Sequence, residues 1–94
     1  MPVAEIIISK RAKRDLKRVP DFIRNKLLMW VTTVKKVGLE RTRKIQGYHD
    51  EPLKGKRLGQ RSIRLNRAYR AIYELRSQGT VEFISINEVS KHDY

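Results

Sequence analysis

The stretch Glu51–Leu75, EPLKGKRLGQRSIRLNRAYRAIYEL, decides the fold of this chain. Ile63 and Leu65 alternate with Ser62, Arg64 and Asn66, the period-2 pattern of a half-buried strand. Asn66-Arg67-Ala68 supplies a tight turn, and Tyr69–Leu75 reads as the returning strand. Ahead of this pair, Gly55 and Gly59 punctuate a loop that carries Lys54, Lys56 and Arg57. The unit is a cationic β-hairpin entered from a carboxylate, Glu51.

Working outward, Arg76–Thr80 with Gly79 predicts another turn, and Val81–Ile86 predicts a further strand. On the other side, Leu39–Asp50 is polar and basic and lacks a clear period. It reads as a connection, with a short helical turn around Glu40–Lys44, that delivers Glu51 to the sheet. Before it, Ile23, Leu27, Trp30, Val31 and Val34 form the apolar stripe of a helix opened by Pro20 and Asp21 and stopped by Gly38. Trp30 lies on that stripe and is expected in the core. Ala12, Leu16 and Val19 mark an earlier, basic helix that starts after Ser9 and ends before Pro20. Val3–Ser9, short and rich in β-branched residues, reads as a buried strand. The order is strand, helix, helix, then three antiparallel strands. It predicts an α+β fold, with an N-terminal strand and two helices packed on a mainly antiparallel sheet.

A length of 94 residues allows one small domain, spanning 1–94, and no linker or repeat interrupts it. The 22 Lys and Arg against 10 Asp and Glu leave a formal net charge of +12, which favours a polyanionic partner, nucleic acid first and an acidic protein second. The chain has no Cys, which removes disulfides, Fe–S clusters and thiolate zinc sites and fits a reducing cytoplasm. Neither a signal peptide nor a membrane span is expected.

There is no Walker loop, dinucleotide fingerprint or HExxH, and His49 and His92 do not have metal-ligand spacing. If the chain is an enzyme, a reaction without metal remains. RNA cleavage by its own 2′-hydroxyl needs a base, cations for the phosphorane and an acid for the leaving 5′-oxygen. Glu51, the cations Lys54, Lys56, Arg57, Arg61, Arg64 and Arg70, and the tail Lys91-His92-Asp93-Tyr94 contain all three types.

In Glu51-Pro52-Leu53-Lys54-Gly55, Leu58-Gly59, Ser62-Ile63-Arg64 and Tyr69-Arg70-Ala71-Ile72-Tyr73 the sequence resembles toxins of type II toxin–antitoxin pairs. The superfamily is RelE/ParE, and the pattern is that of its ribonuclease branch (RelE, YoeB and HigB). The resemblance covers the whole chain in layout and is specific in the hairpin and the tail. It implies a RelE-like fold and a cofactor-free mRNA interferase that cleaves ribosome-bound mRNA and so inhibits translation. Glu51 then matches the general base and Arg70 the arginine on the scissile phosphate. Lys54, Lys56, Arg57, Arg61, Arg64 and Lys91 are expected to hold RNA. YoeB-like tails end His-Tyr, whereas this chain ends His92-Asp93-Tyr94, so the general acid is either His92 or Asp93. An ordinary histidine pKa of about 6.5 suits the acid, whereas Asp93 would need a large upward shift. Tyr94 is expected to stack on a base or donate its hydroxyl. The implied partners are a cognate antitoxin, mRNA and the ribosome. Two alternatives stay open: a ParE-like inhibitor of DNA gyrase, and a non-catalytic basic nucleic-acid-binding module.

Overall fold

The computed structural model of the chain describes residues 5–91. β1 (Glu5–Ile8) leads into Ser9, which caps α1 (Lys10–Leu16) by accepting the Ala12 N–H at 3.0 Å. The same hydroxyl donates to the Asn87 carbonyl at 2.9 Å and pins the start of the helix to the sheet. α1 ends a turn earlier than its apolar pattern predicts. The reason lies in Arg24, whose guanidinium donates to the carbonyls of Leu16 and Val19 at 2.9 and 3.3 Å. α2 (Asp21–Val37) buries Ile23, Leu27, Trp30 and Val34 on one stripe, as the spacing requires. At Gly38 φ is +90°, a left-handed value that favours glycine, and the chain breaks there into α3 (Leu39–Arg43).

β2 (Glu51–Pro52), β3 (Gln60–Arg64), β4 (Tyr69–Gln78) and β5 (Val81–Lys91) complete a five-stranded sheet of order β1-β5-β4-β3-β2. β1 runs parallel to β5, and the other pairs are antiparallel. The expected α+β architecture is therefore present, with an additional edge strand at Glu51. The turn between β3 and β4 is held by Asn66, whose Oδ1 accepts the N–H groups of Ala68 and Tyr69, each at 2.8 Å. On the helix side Trp30 meets Tyr73 at a centroid distance of 4.9 Å, within a core that includes Leu27, Ile63, Ile84 and Ile86. No helix among the described residues is long and apolar enough to cross a membrane.

β5 continues to Lys91, beyond the expected end at Ile86, because of a β-bulge. Tyr73 pairs with Ile86 and Ile72 with Glu88, so Asn87 is the additional residue. The bulge reverses the alternation: Ile84 and Ile86 face the helices, and after Asn87 it is Val89 that enters the core while Glu88 turns to the opposite face. Glu88 is buried there, accepting from Arg57 at 3.0 Å and Ser90 at 3.3 Å, with Arg11 at 3.6 Å. Beyond the end of β1, α1 takes over the edge of β5, and Asp15 Oδ2 accepts the Val89 N–H at 3.0 Å. Asp15→Ala strands that amide at the sheet edge. It should lower unfolding stability by about 1–3 kcal/mol, read from urea denaturation, with the native fold retained.

Candidate active site

The site forms where α3 and a short 3-10 turn (Gln46–Tyr48) hand the chain to β2. Tyr48 is buried, and His49 follows with φ 47° and ψ 50°. This is a left-handed conformation that costs a non-glycine residue on the order of 1 kcal/mol. Three consecutive side chains then separate. Asp50 points to the helix side, where its fully buried carboxylate accepts Arg61 Nε and the Tyr73 hydroxyl, each at 2.6 Å. Arg43 Nε reaches the same hydroxyl at 3.4 Å. His49 and Glu51, on either side of Asp50, face the opposite side and are both exposed.

Burial, and next the hydrogen bond it donates to Asp50, push the Tyr73 phenol up to about 12. For Arg61, burial acts to lower the pKa, but the hydrogen bond and charge of Asp50 outweigh it and raise it. Asp50 is thus the anchor that sets where Glu51 emerges.

On the face away from the helices, strand register places groups in rows. One row runs Glu51, Ser62, Ile72, Glu88, and the next runs Arg64, Arg70, Ser90. Rows two residues apart lie about 7 Å from each other. The result is a small cleft with His49 and Glu51 on one wall, Arg64 and Arg70 on the floor and other wall, and the Asn66–Arg67 turn closing it. The His49 Nε2 is 3.8 Å from Glu51 Oε2. Arg70 is only partly exposed, and its Nε is buried without a hydrogen-bond partner among the described residues. A buried donor left unpaired is unfavourable by about 1–3 kcal/mol, more when charged, and an anion seated in the cleft offsets that.

The sequence-derived candidates distribute unevenly. Glu51, Arg64 and Arg70 come together in this cleft. Lys54 and Lys56 are exposed on the loop that includes a 3-10 turn (Gly55–Arg57), and Lys91 lies at the end of β5 with its ammonium 6.0 Å from the Tyr69 ring. Two expected RNA contacts are engaged elsewhere. Arg57 bridges to Glu88, and Arg61 sits on the helix side of β3, fixed to Asp50, because its parity in the strand is opposite to that of Arg64. His92, Asp93 and Tyr94 lie outside the described residues. Sequence reasoning passed over His49, which the left-handed backbone at that position brings to the cleft beside Glu51.

Helices on one face of a five-stranded, mostly antiparallel sheet, with a cationic cleft on the other, make this the RelE/YoeB-like α+β fold. The chain belongs to the family described as ParE toxin of type II toxin-antitoxin system, parDE, which it matches over residues 6–91. A comparison with curated protein sequences finds no match. Among solved structures the fold is similar to a YoeB/ParE toxin from Agrobacterium tumefaciens, with TM-score 0.71 and 18% identity over 95% of this chain and 99% of that one. It is also similar to YafQ from Escherichia coli, with TM-score 0.74 and 20% identity over 95% and 93% of the two chains. The toxin–antitoxin complex of DinJ and YafQ from E. coli gives TM-score 0.73 and 20% identity over 97% and 94%.

The Asp50 anchor has a pH signature. Tyr73 is raised from 10.0 to about 12, so its contribution to stability is complete below pH 10 and lost as pH rises through about 12. In Tyr73→Phe that alkaline loss should shrink. A phenol absorbance titration should also lose its latest-ionising tyrosine.

Proposed function

We propose that this toxin is an endoribonuclease that cleaves mRNA, bound to the ribosome, without a metal. The observation that carries the reading is the convergence of the Glu51 carboxylate with Arg64 and Arg70 on one sheet face, Arg70 Nε being buried and without a partner among the described residues. A carboxylate beside two guanidinium groups matches what 2′-hydroxyl attack on an adjacent phosphate requires. Glu51 takes the 2′-hydroxyl proton, and O2′ bonds to phosphorus. Arg70 stabilises the charge that develops on the non-bridging oxygens, and Arg64 holds the phosphate from the neighbouring strand. The P–O5′ bond then breaks, and the acid for the leaving oxygen is assigned to the segment of His92, Asp93 and Tyr94. Lys54 and Lys56 position the RNA backbone without reading sequence.

The proposed partners follow from the same reading. mRNA and the ribosome supply the polyanion. The DinJ–YafQ complex supports a protein partner, an acidic antitoxin that neutralises the +12 surface. The family description names ParE toxin, and a ParE-like inhibitor of DNA gyrase is the second reading. One pair of assays separates them: truncated mRNA with 2′,3′-cyclic phosphate ends on programmed ribosomes, against failure of gyrase supercoiling.

Arg70 and the loop lysines should respond differently to substitution. Arg70→Ala is expected to lower the single-turnover cleavage rate roughly a hundredfold or more at saturating protein, with circular dichroism unchanged. Lys54→Ala and Lys56→Ala should weaken RNA binding in a salt-dependent manner and leave most of the chemical step intact. Wild-type cleavage by folded Arg70→Ala would remove the assignment.

A further inference from the structure

We infer that His49 is the proton-transfer partner of Glu51, so that the base of this site is a carboxylate–imidazole pair. The inference rests on the ribonuclease reading and adds to it His49, whose backbone N–H donates to the Gln46 carbonyl at 3.0 Å and caps the preceding 3-10 turn, while its side chain stands in the cleft. Among the described residues the one polar contact of the imidazole is Glu51 Oε2, at 3.8 Å from Nε2, and both side chains are 57% exposed on the same cleft. The distance is too long for a hydrogen bond and short enough that a shared proton or one water joins the two groups.

The backbone supports a functional origin. His49 is the one non-glycine residue with positive φ among the described residues, and it is fixed there by buried Tyr48 on one side and the Asp50 clamp on the other. Glycine or asparagine would adopt this conformation with less strain. Strain of this kind concentrates where a side chain must be aimed, and the direction here is into the cleft.

The chemistry supplies the rest. A lone exposed carboxylate is a weak proton acceptor at neutral pH, whereas histidine ordinarily exchanges protons in that range. The other charged or titratable residues lining the cleft are Arg64 from β3, Arg67 from the turn, and Arg70 and Tyr69 from β4, Tyr69 having the strand parity of the core-facing Ala71 and Tyr73. In the step, the O2′–H bond breaks, the O2′–P bond forms and the P–O5′ bond breaks. The 2′ proton passes to Glu51 and is held between Oε2 and His49 Nε2, then leaves to solvent, while the departing 5′-oxygen gains one proton. The products are a 2′,3′-cyclic phosphate and a 5′-hydroxyl, and no further reactant is needed.

His49→Asn keeps a residue tolerant of the left-handed conformation and removes proton exchange. We expect its single-turnover cleavage rate to fall about tenfold or more, with RNA affinity within about twofold of wild type. The pH dependence should flatten between about pH 5.5 and 7.5 relative to wild type. His49→Gly relaxes the backbone and opens space, and added imidazole should restore part of its rate, an effect that a merely structural role would not give. A folded His49→Asn protein with wild-type rate and pH profile, or a loss confined to RNA affinity, would overturn the inference while wild-type cleavage leaves the ribonuclease reading standing. If His49→Asn does not fold, His49→Gly with and without imidazole decides the question. Absence of cleavage by the wild-type protein would overturn both.

Discussion

The buried carboxylate of Asp50 is the interaction on which the arrangement depends. It receives Arg61 from β3 and the Tyr73 hydroxyl from β4, and Tyr73 in turn meets Arg43 from α3 and packs at a tilt against Trp30 from α2. A carboxylate withdrawn from water is tolerable only when its partners are in place, and removing one leaves an uncompensated charge in a low dielectric. The same contact therefore closes the core and fixes the residue before Glu51. With Asp50 held inward, Glu51 at the start of β2 faces the opposite side, and the left-handed backbone at His49 brings its side chain to the same cleft. Stability and site geometry are two consequences of one set of hydrogen bonds.

The face opposite the helices has a different balance. Arg64 and Arg70 are directly paired across β3 and β4, an arrangement of like charges that is unfavourable without an anion. The buried carboxylate on that face, Glu88, is already occupied by Arg57 and Arg11. Its contact with Arg57 ties the lysine-bearing loop to the sheet and engages Arg57 away from the cleft. In the proposed ribonuclease reading a phosphate would relieve this imbalance, and a chain of phosphates would match the rest of the basic surface. Arg70 Nε is buried without a hydrogen-bond partner among the described residues.

Identities of 18–20% to the A. tumefaciens and E. coli toxins establish a shared backbone and leave the target to the site. What distinguishes a nuclease from an inhibitor on such a scaffold is whether groups able to move a proton stand next to groups able to hold a phosphate. In this chain Glu51 stands beside Arg64 and Arg70, in rows set by strand register, and the proposed nuclease reading rests on that placement.

The sequence by itself determined the α+β class, the order of the main elements, the helix stripe with Trp30, the Asn66 turn and the position of Glu51 ahead of the hairpin that carries Arg70. Each of these depends on local periodicity, caps and turn chemistry, which are legible within a few residues. Tertiary structure decided the rest. The parallel pairing of β1 with β5 joins segments from opposite ends of the chain, and the continuation of β5 depends on a bulge that shifts the alternation at Asn87. Out-of-phase Glu88 and Val89 conceal the strand from a period-2 reading, although the shift itself marks the bulge. Arg61 and Arg64 look equivalent as letters, yet opposite strand parity sends one to Asp50 and the other to the cleft. Charge and residue type are local properties, but which face a side chain reaches and which partner it meets are set by register between strands, and register is fixed only when the core closes.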